Sequence, residues 1–128
     1  MNPLRLALIS IAAFAFMMTP APAAAEDAPY RHVVLFKFKD TTSTEQVQTL
    51  EKAFAQLAGK IETVKGFEWG TNISPEGLND GFTHCFFVTF ADKAGLDAYL
   101  PNPAHQEFVG QLKPLLDKVC VVDYVARK

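Results

Sequence analysis

Hydrophobic positions along the chain switch between two periods, and the switches mark the elements. From Arg31 to Lys39 the run RHVVLFKFK is β-branched and aromatic, without Gly or Pro, and predicts a strand. One face carries His32, Val34, Phe36 and Phe38, the other Val33, Leu35, Lys37 and Lys39. Both faces are apolar over most of their length, so both should be covered. The period then lengthens: Val47, Leu50, Phe54, Leu57 and Ile61 recur at spacings of 3, 4, 3 and 4, one stripe of an amphipathic helix. Thr42, with Glu45 three residues on, supplies its capping box. Gly66 and Gly70 bracket a short strand, Phe67-Glu68-Trp69, that can extend through Ile73. Ser74–Gly81 (SPEGLNDG) is dense in turn residues and reads as a hairpin connection. Thr83–Phe90 (THCFFVTF) is the next strand, with His84, Phe86, Val88 and Phe90 on one face and Thr83, Cys85, Phe87 and Thr89 on the other.

Asp92 can cap a short helix to Leu100 that carries Leu96 and Tyr99. Pro101-Asn102-Pro103 breaks it, and Asn102 with Pro103 behind it starts another. Phe108, Val109, Leu112, Leu115 and Leu116 form the apolar stripe of that helix, and Pro114 should kink or end it. Val119–Val125 (VCVVDYV) is the last strand. The order β-α-β-β-α-α-β predicts an α+β, ferredoxin-like fold with a four-stranded antiparallel sheet. HVVLFKF at 32–38 and HCFFVTF at 84–90 echo each other and are expected side by side at its centre. Helices should cover one sheet face. Val33, Leu35, Cys85 and Phe87 would then form an apolar patch on the other, a binding surface or a dimer interface.

Composition narrows the picture. With 128 residues there is room for one ordinary domain. A formal charge of −2 gives no electrostatic reason to expect nucleic acid. Two cysteines exclude a disulfide scaffold. Phosphate loops, Ser-His-Asp arrangements and zinc spacings are missing from the sequence. Before Glu26 the only charge is Arg5, followed by an apolar core, Leu6–Met18, and the small-residue stretch Ala23-Ala24-Ala25. That three-part pattern predicts a signal peptide over residues 1–25, cut after Ala25. Its core is well short of the roughly 20 residues of a membrane span. The expectation is an exported protein, periplasmic or secreted, with no membrane attachment after processing.

Four segments agree in order and spacing with one family: His32 with FKFK behind it, the EGLNDGFTH hairpin ending in His84, Tyr99-Leu100-Pro101-Asn102-Pro103-Ala104-His105, and the tail VVDYVARK. The chain resembles the stress-responsive α/β barrel proteins over residues 30–125. The resemblance implies a dimeric α/β barrel, a homodimer formed by packing sheet faces together. It also implies a stress-response domain with a small apolar pocket. In a polyketide cyclase of that family, a Tyr and a His six residues apart close a ring by an aldol-type reaction without metal or organic cofactor. Tyr99 and His105 stand at that spacing, and the family's strand histidines fall on His32 and His84. Phe54 replaces a second pocket tyrosine of the cyclase. The cyclase acts on an acyl thioester inside cells, so its substrate does not carry over to an exported chain.

Beside the resemblance, the residues have their own chemistry. His105 suits proton abstraction near neutrality as a general base or acid. Tyr99 can steady a developing oxyanion through its phenol. Asp123, unfavourable by propensity in a strand, is expected to orient His105 through its carboxylate or its backbone carbonyl. His32 is a helper near Asp123, and His84 is a structural hydrogen-bonding residue. Val34, Phe36, Phe54, His84, Phe86 and Phe108 are the expected pocket lining. No metal is expected, because His32 and His84 open adjacent antiparallel strands and should lie roughly 20 Å apart. Cys85 and Cys120 should be separated by one strand and form no intrachain bridge. Two functions stay open: a binding or structural stress-response protein for a small apolar or aromatic molecule, and a cofactor-independent cyclase or lyase acting on an aromatic or polyketide-like substrate.

Overall fold

The computed structural model describes residues 28–128, so the signal peptide expected over residues 1–25 lies outside the described residues. β1 (Tyr30–Phe38) is followed by α1 (Thr44–Lys60), β2 (Val64–Thr71) and β3 (His84–Phe90). Next come α2 (Lys93–Tyr99), α3 (Pro103–Leu112), a 3-10 turn (Lys113–Leu115) and β4 (Leu116–Val125). The sheet is antiparallel in the order β2-β3-β1-β4, with the two echoing strands at its centre.

Local chemistry sets the boundaries. The capping box of α1 sits one residue later than expected: Ser43 is the cap, and Gln46, rather than Glu45, closes the box. A Gln side chain returns the cap's N–H bond as well as a Glu. β2 begins earlier than the glycine bracket suggested and stops at Thr71, paired with His84, so Ile73 falls in the loop beyond. Asp92 and Asn102 cap α2 and α3 as the sequence indicated. Pro114 converts the end of α3 into the 3-10 turn.

All three helices pack on one face of the sheet. That face buries Val34 and Phe36 of β1, and Phe86, Val88 and Phe90 of β3, against Leu50, Phe54 and Leu57 of α1 and Phe108 and Leu112 of α3. Phe54 is the hub. Its ring stacks on Phe86 at 4.4 Å between centroids and meets Phe108 at 4.8 Å and Phe67 at 5.3 Å. The opposite face carries Val33, Leu35, Phe87 and Val122 with no helix over them, and Arg31 lies over the Phe87 ring. Cys85 and Cys120 flank Leu35 from opposite sides on that open face, two strand spacings or about 10 Å apart, too far to bridge.

Candidate active site

The segment between α2 and α3 builds the site from its own backbone. Had the helix continued past Leu100, the Ala104 N–H would bond the Leu100 carbonyl. Instead Ala104 N–H donates to the capping Asn102 side chain at 2.9 Å. The Leu100 oxygen is thereby free for two other donors. His105 Nδ1 donates to it at 2.9 Å and Gln106 Nε2 at 2.6 Å. A carbonyl only accepts, so Nδ1 must carry the proton, and Nε2 is left as the basic nitrogen of His105. Burial pushes the His105 pKa down, more strongly than the Leu100 bond raises it, and nearby His32 pushes in the same direction as burial. The imidazole is therefore neutral and ready to accept a proton near neutrality.

Tyr99, at the end of α2, has its ring only 1% exposed. It lies 4.5 Å from the His105 ring and 6.1 Å from that of His32, centroid to centroid. Burial drives its phenol pKa far above the ordinary value, so Tyr99 keeps its proton and serves as a hydrogen-bond donor. His32, third residue of β1, is bonded through Nδ1 to Asp123 Oδ1 at 2.6 Å. The β1–β4 register sets this contact, since His32 lies directly opposite Asp123. The expectation that Asp123 orients His105 is thus corrected: its carboxylate holds His32, and the Leu100 carbonyl holds His105.

These groups open onto a cavity of about 230 Å³ between the sheet and the α2–α3 layer. His32, Tyr99, His105 and Lys113 are its polar lining residues. Val34, Phe36, Phe54 and Phe108 line it, together with Val109, Leu112, Val119 and Val121. Two expected lining residues lie elsewhere. Phe86 is screened from the cavity by the Phe54 ring stacked on it. His84 pairs with Phe36 near the far end of β1, where Thr83 Oγ1 meets its Nδ1 at 2.8 Å and Glu51 Oε1 accepts from its Nε2 at 2.9 Å. The register also shortens the separation expected between His32 and His84. Four residues along β1, about 13 Å rather than 20 Å, part them, because β1 runs two residues beyond His32 at its start. That is still far outside a shared ligand sphere of about 2 Å bonds. Among the described residues, no group of three or more His, Cys, Asp or Glu is placed to hold a metal ion.

The Leu100 carbonyl was missed in the sequence, since every residue has one. Val119 and Val121 were legible in principle, because they share the alternation of Asp123 along β4.

Fold and cavity together define a ferredoxin-like α+β domain with a mostly apolar cavity that holds a Tyr-His pair. The chain belongs to the stress responsive A/B barrel domain family, whose profile matches residues 30–126. It is similar to the stress-response A/B barrel domain-containing protein HS1 of Arabidopsis thaliana, 44% identical over 96 residues that cover 75% of this chain and 88% of that protein. Olivetolic acid cyclase of Cannabis sativa is 29% identical over 98 residues, covering 77% and 97%. Among solved structures, hydroxynitrile lyase from Passiflora edulis superposes with a TM-score of 0.76 at 27% identity, covering 80% and 96%. A dimeric ferredoxin-like protein of unknown function from Jannaschia sp. does so with a TM-score of 0.68 at 26% identity, covering 77% and 99%.

Proposed function

We propose that the cavity is the active site of a cofactor-independent enzyme of lyase or aldol-cyclase type, carried on an exported, homodimeric stress-response domain. The observation that carries the reading is the His105 Nδ1–Leu100 carbonyl bond, which fixes a neutral imidazole with its basic Nε2 beside a protonated, buried tyrosine. Such a pair can break or make a carbon–carbon bond next to oxygen. From a hydroxynitrile, His105 takes the O–H proton, the bond to the nitrile carbon breaks, and the oxygen becomes a carbonyl. The nitrile carbon leaves with the electron pair and receives the proton back from His105. In the aldol direction His105 takes a proton from carbon beside a carbonyl, and Tyr99 donates to the oxygen on which charge grows. The olivetolic acid cyclase and the hydroxynitrile lyase among the relatives support this class of chemistry.

Size narrows the substrate. A cavity of 230 Å³ lies between the roughly 150 Å³ that holds benzene and the roughly 300 Å³ where drug-sized sites begin. A single substituted ring fits within it. Export is supported by Arg5, the Leu6–Met18 core and the alanines before Glu26. The homodimer is supported by the uncovered Val33, Leu35 and Phe87 face and by the dimeric relative. Turnover of benzaldehyde cyanohydrin, followed by aldehyde absorbance, tests the activity, with thermal-shift binding of benzaldehyde measured in parallel. Binding without turnover of this or any aldol substrate would leave a ligand-binding stress-response protein in place of an enzyme.

A further inference from the structure

The spacing of residues along α3 carries the cavity wall well beyond the reactive pair. Counting from His105, the residues Phe108, Val109, Leu112 and Lys113 fall at i+3, i+4, i+7 and i+8, one face of a helix over two turns. All five line the cavity. His105 and Lys113 therefore stand at opposite ends of one wall, about 12 Å apart along the helix axis.

Lys113 is the only lysine, arginine or carboxylate in that lining. Other lysines close by in the chain or the sheet are paired: Lys37 holds Asp117 at 3.0 Å, and Lys118 holds Asp80 at 2.8 Å. Lys113 enters no ion pair among the described residues. Its backbone is nevertheless fixed. The Lys113 N–H donates to the Val109 carbonyl, and Pro114 turns the chain out of the helix. The Leu115 carbonyl at the end of that turn accepts from Lys39 N–H at 2.9 Å and from Thr42 Oγ1 at 2.8 Å. An exposed lysine on a pinned turn, at the edge of an apolar wall, presents its charge at the rim while its stem extends the wall.

We propose that Lys113 sets substrate specificity by receiving a carboxylate at the end of the molecule remote from Tyr99 and His105. The proposal rests on the active-site reading above for the carbonyl end of the substrate and adds the chemistry of the other end. The substrate class is a single ring or short apolar body with the reacting carbon and oxygen at one end and a carboxylate at the other, as in a para-disubstituted benzene. A carboxylate suits the position better than a phosphate. One lysine balances one negative charge, and the carbonyl end of α3, where Lys113 sits, repels a dianion.

Calorimetric titration tests the assignment with two probes of nearly the same shape, 4-formylbenzoate and its methyl ester. Wild type should bind the carboxylate at least fivefold more tightly than the ester, and the preference should shrink as salt is raised. Lys113→Gln should bind the two within twofold of each other, with its affinity for the ester unchanged as a sign that the cavity is intact. Lys113→Arg should retain the preference. Wild type that binds both probes alike, or Lys113→Gln that keeps the preference, overturns the role of Lys113. Turnover of the cyanohydrins of the two probes judges the active-site reading separately. A Lys113-dependent preference without turnover removes the enzyme and keeps the carboxylate site, whereas turnover without the preference removes the carboxylate site alone. Wild type that binds neither probe overturns both.

Discussion

Replacing His105 by Gln removes the only nitrogen that the Leu100 carbonyl leaves basic at that position, while an amide N–H can still reach the same oxygen. The fold should therefore survive and the chemistry should not. Losing a positioned general base typically slows a reaction 10²–10⁴-fold, about 3–5 kcal/mol of barrier. His32 lines the same cavity with its Nδ1 held by Asp123, so the His32→Gln variant, measured beside His105→Gln, separates the two imidazoles. The pH profile gives a second, independent readout. Burial lowers the His105 pKa, so the base is unprotonated at neutrality, and kcat/KM should fall only as pH drops through a value below the ordinary 6.5 of histidine. Stopped-flow or spectrophotometric assays of cyanohydrin cleavage between pH 4.5 and 8, wild type against His105→Gln, measure both. A variant whose rate stays within twofold of wild type, or an acid limb that lies above pH 6.5 and persists in the variant, refutes the assignment of His105 as the base.

Other outcomes follow from the same geometry. Tyr99→Phe should leave stability nearly unchanged and lower turnover by about 10²-fold, the loss of one preorganised donor to the oxyanion. Phe54→Ala should destabilise the domain by about 3–5 kcal/mol in urea denaturation, since four aromatic rings lose their common neighbour. Phe87→Glu places a charge on the open sheet face and should yield monomers or aggregates by light scattering. Mass spectrometry of protein recovered from the exported fraction should find Glu26 as its first residue; an intact amino terminus on membranes would overturn the signal-peptide assignment.

The strands and helices were legible because each is written locally: two-residue alternation in β1 and β3, the Leu50–Phe54–Leu57 stripe, and the Asn102-Pro103 start of α3. Their arrangement followed from element order and from the echo that put β1 beside β3. What sequence reading missed depended on register. Asp123 was expected to orient His105 although His32 was already placed near it, and one residue of β1–β4 pairing decides which side chain a strand carboxylate meets. His84 was expected to line the cavity and to be a structural hydrogen-bonding residue; only the second holds, because a shared face says nothing about position along it. The Leu100 carbonyl has no signature at all; only the diversion of the Ala104 N–H to Asn102 reveals that it is free.

The pairing of His32 with Asp123 joins positions 91 residues apart, and β1 is bonded to β4 along its whole length, from Tyr30 opposite Val125 to Phe38 opposite Leu116. The first of the described strands therefore waits for the last of them. Until β4 emerges, β1 has one unpaired side, the cavity lacks a wall, and no partial chain can assemble the reactive groups. Long-range closure of this kind is slow because the chain between must be brought back before any contact rewards it. The topology keeps the reactive groups from assembling until β4 has paired with β1.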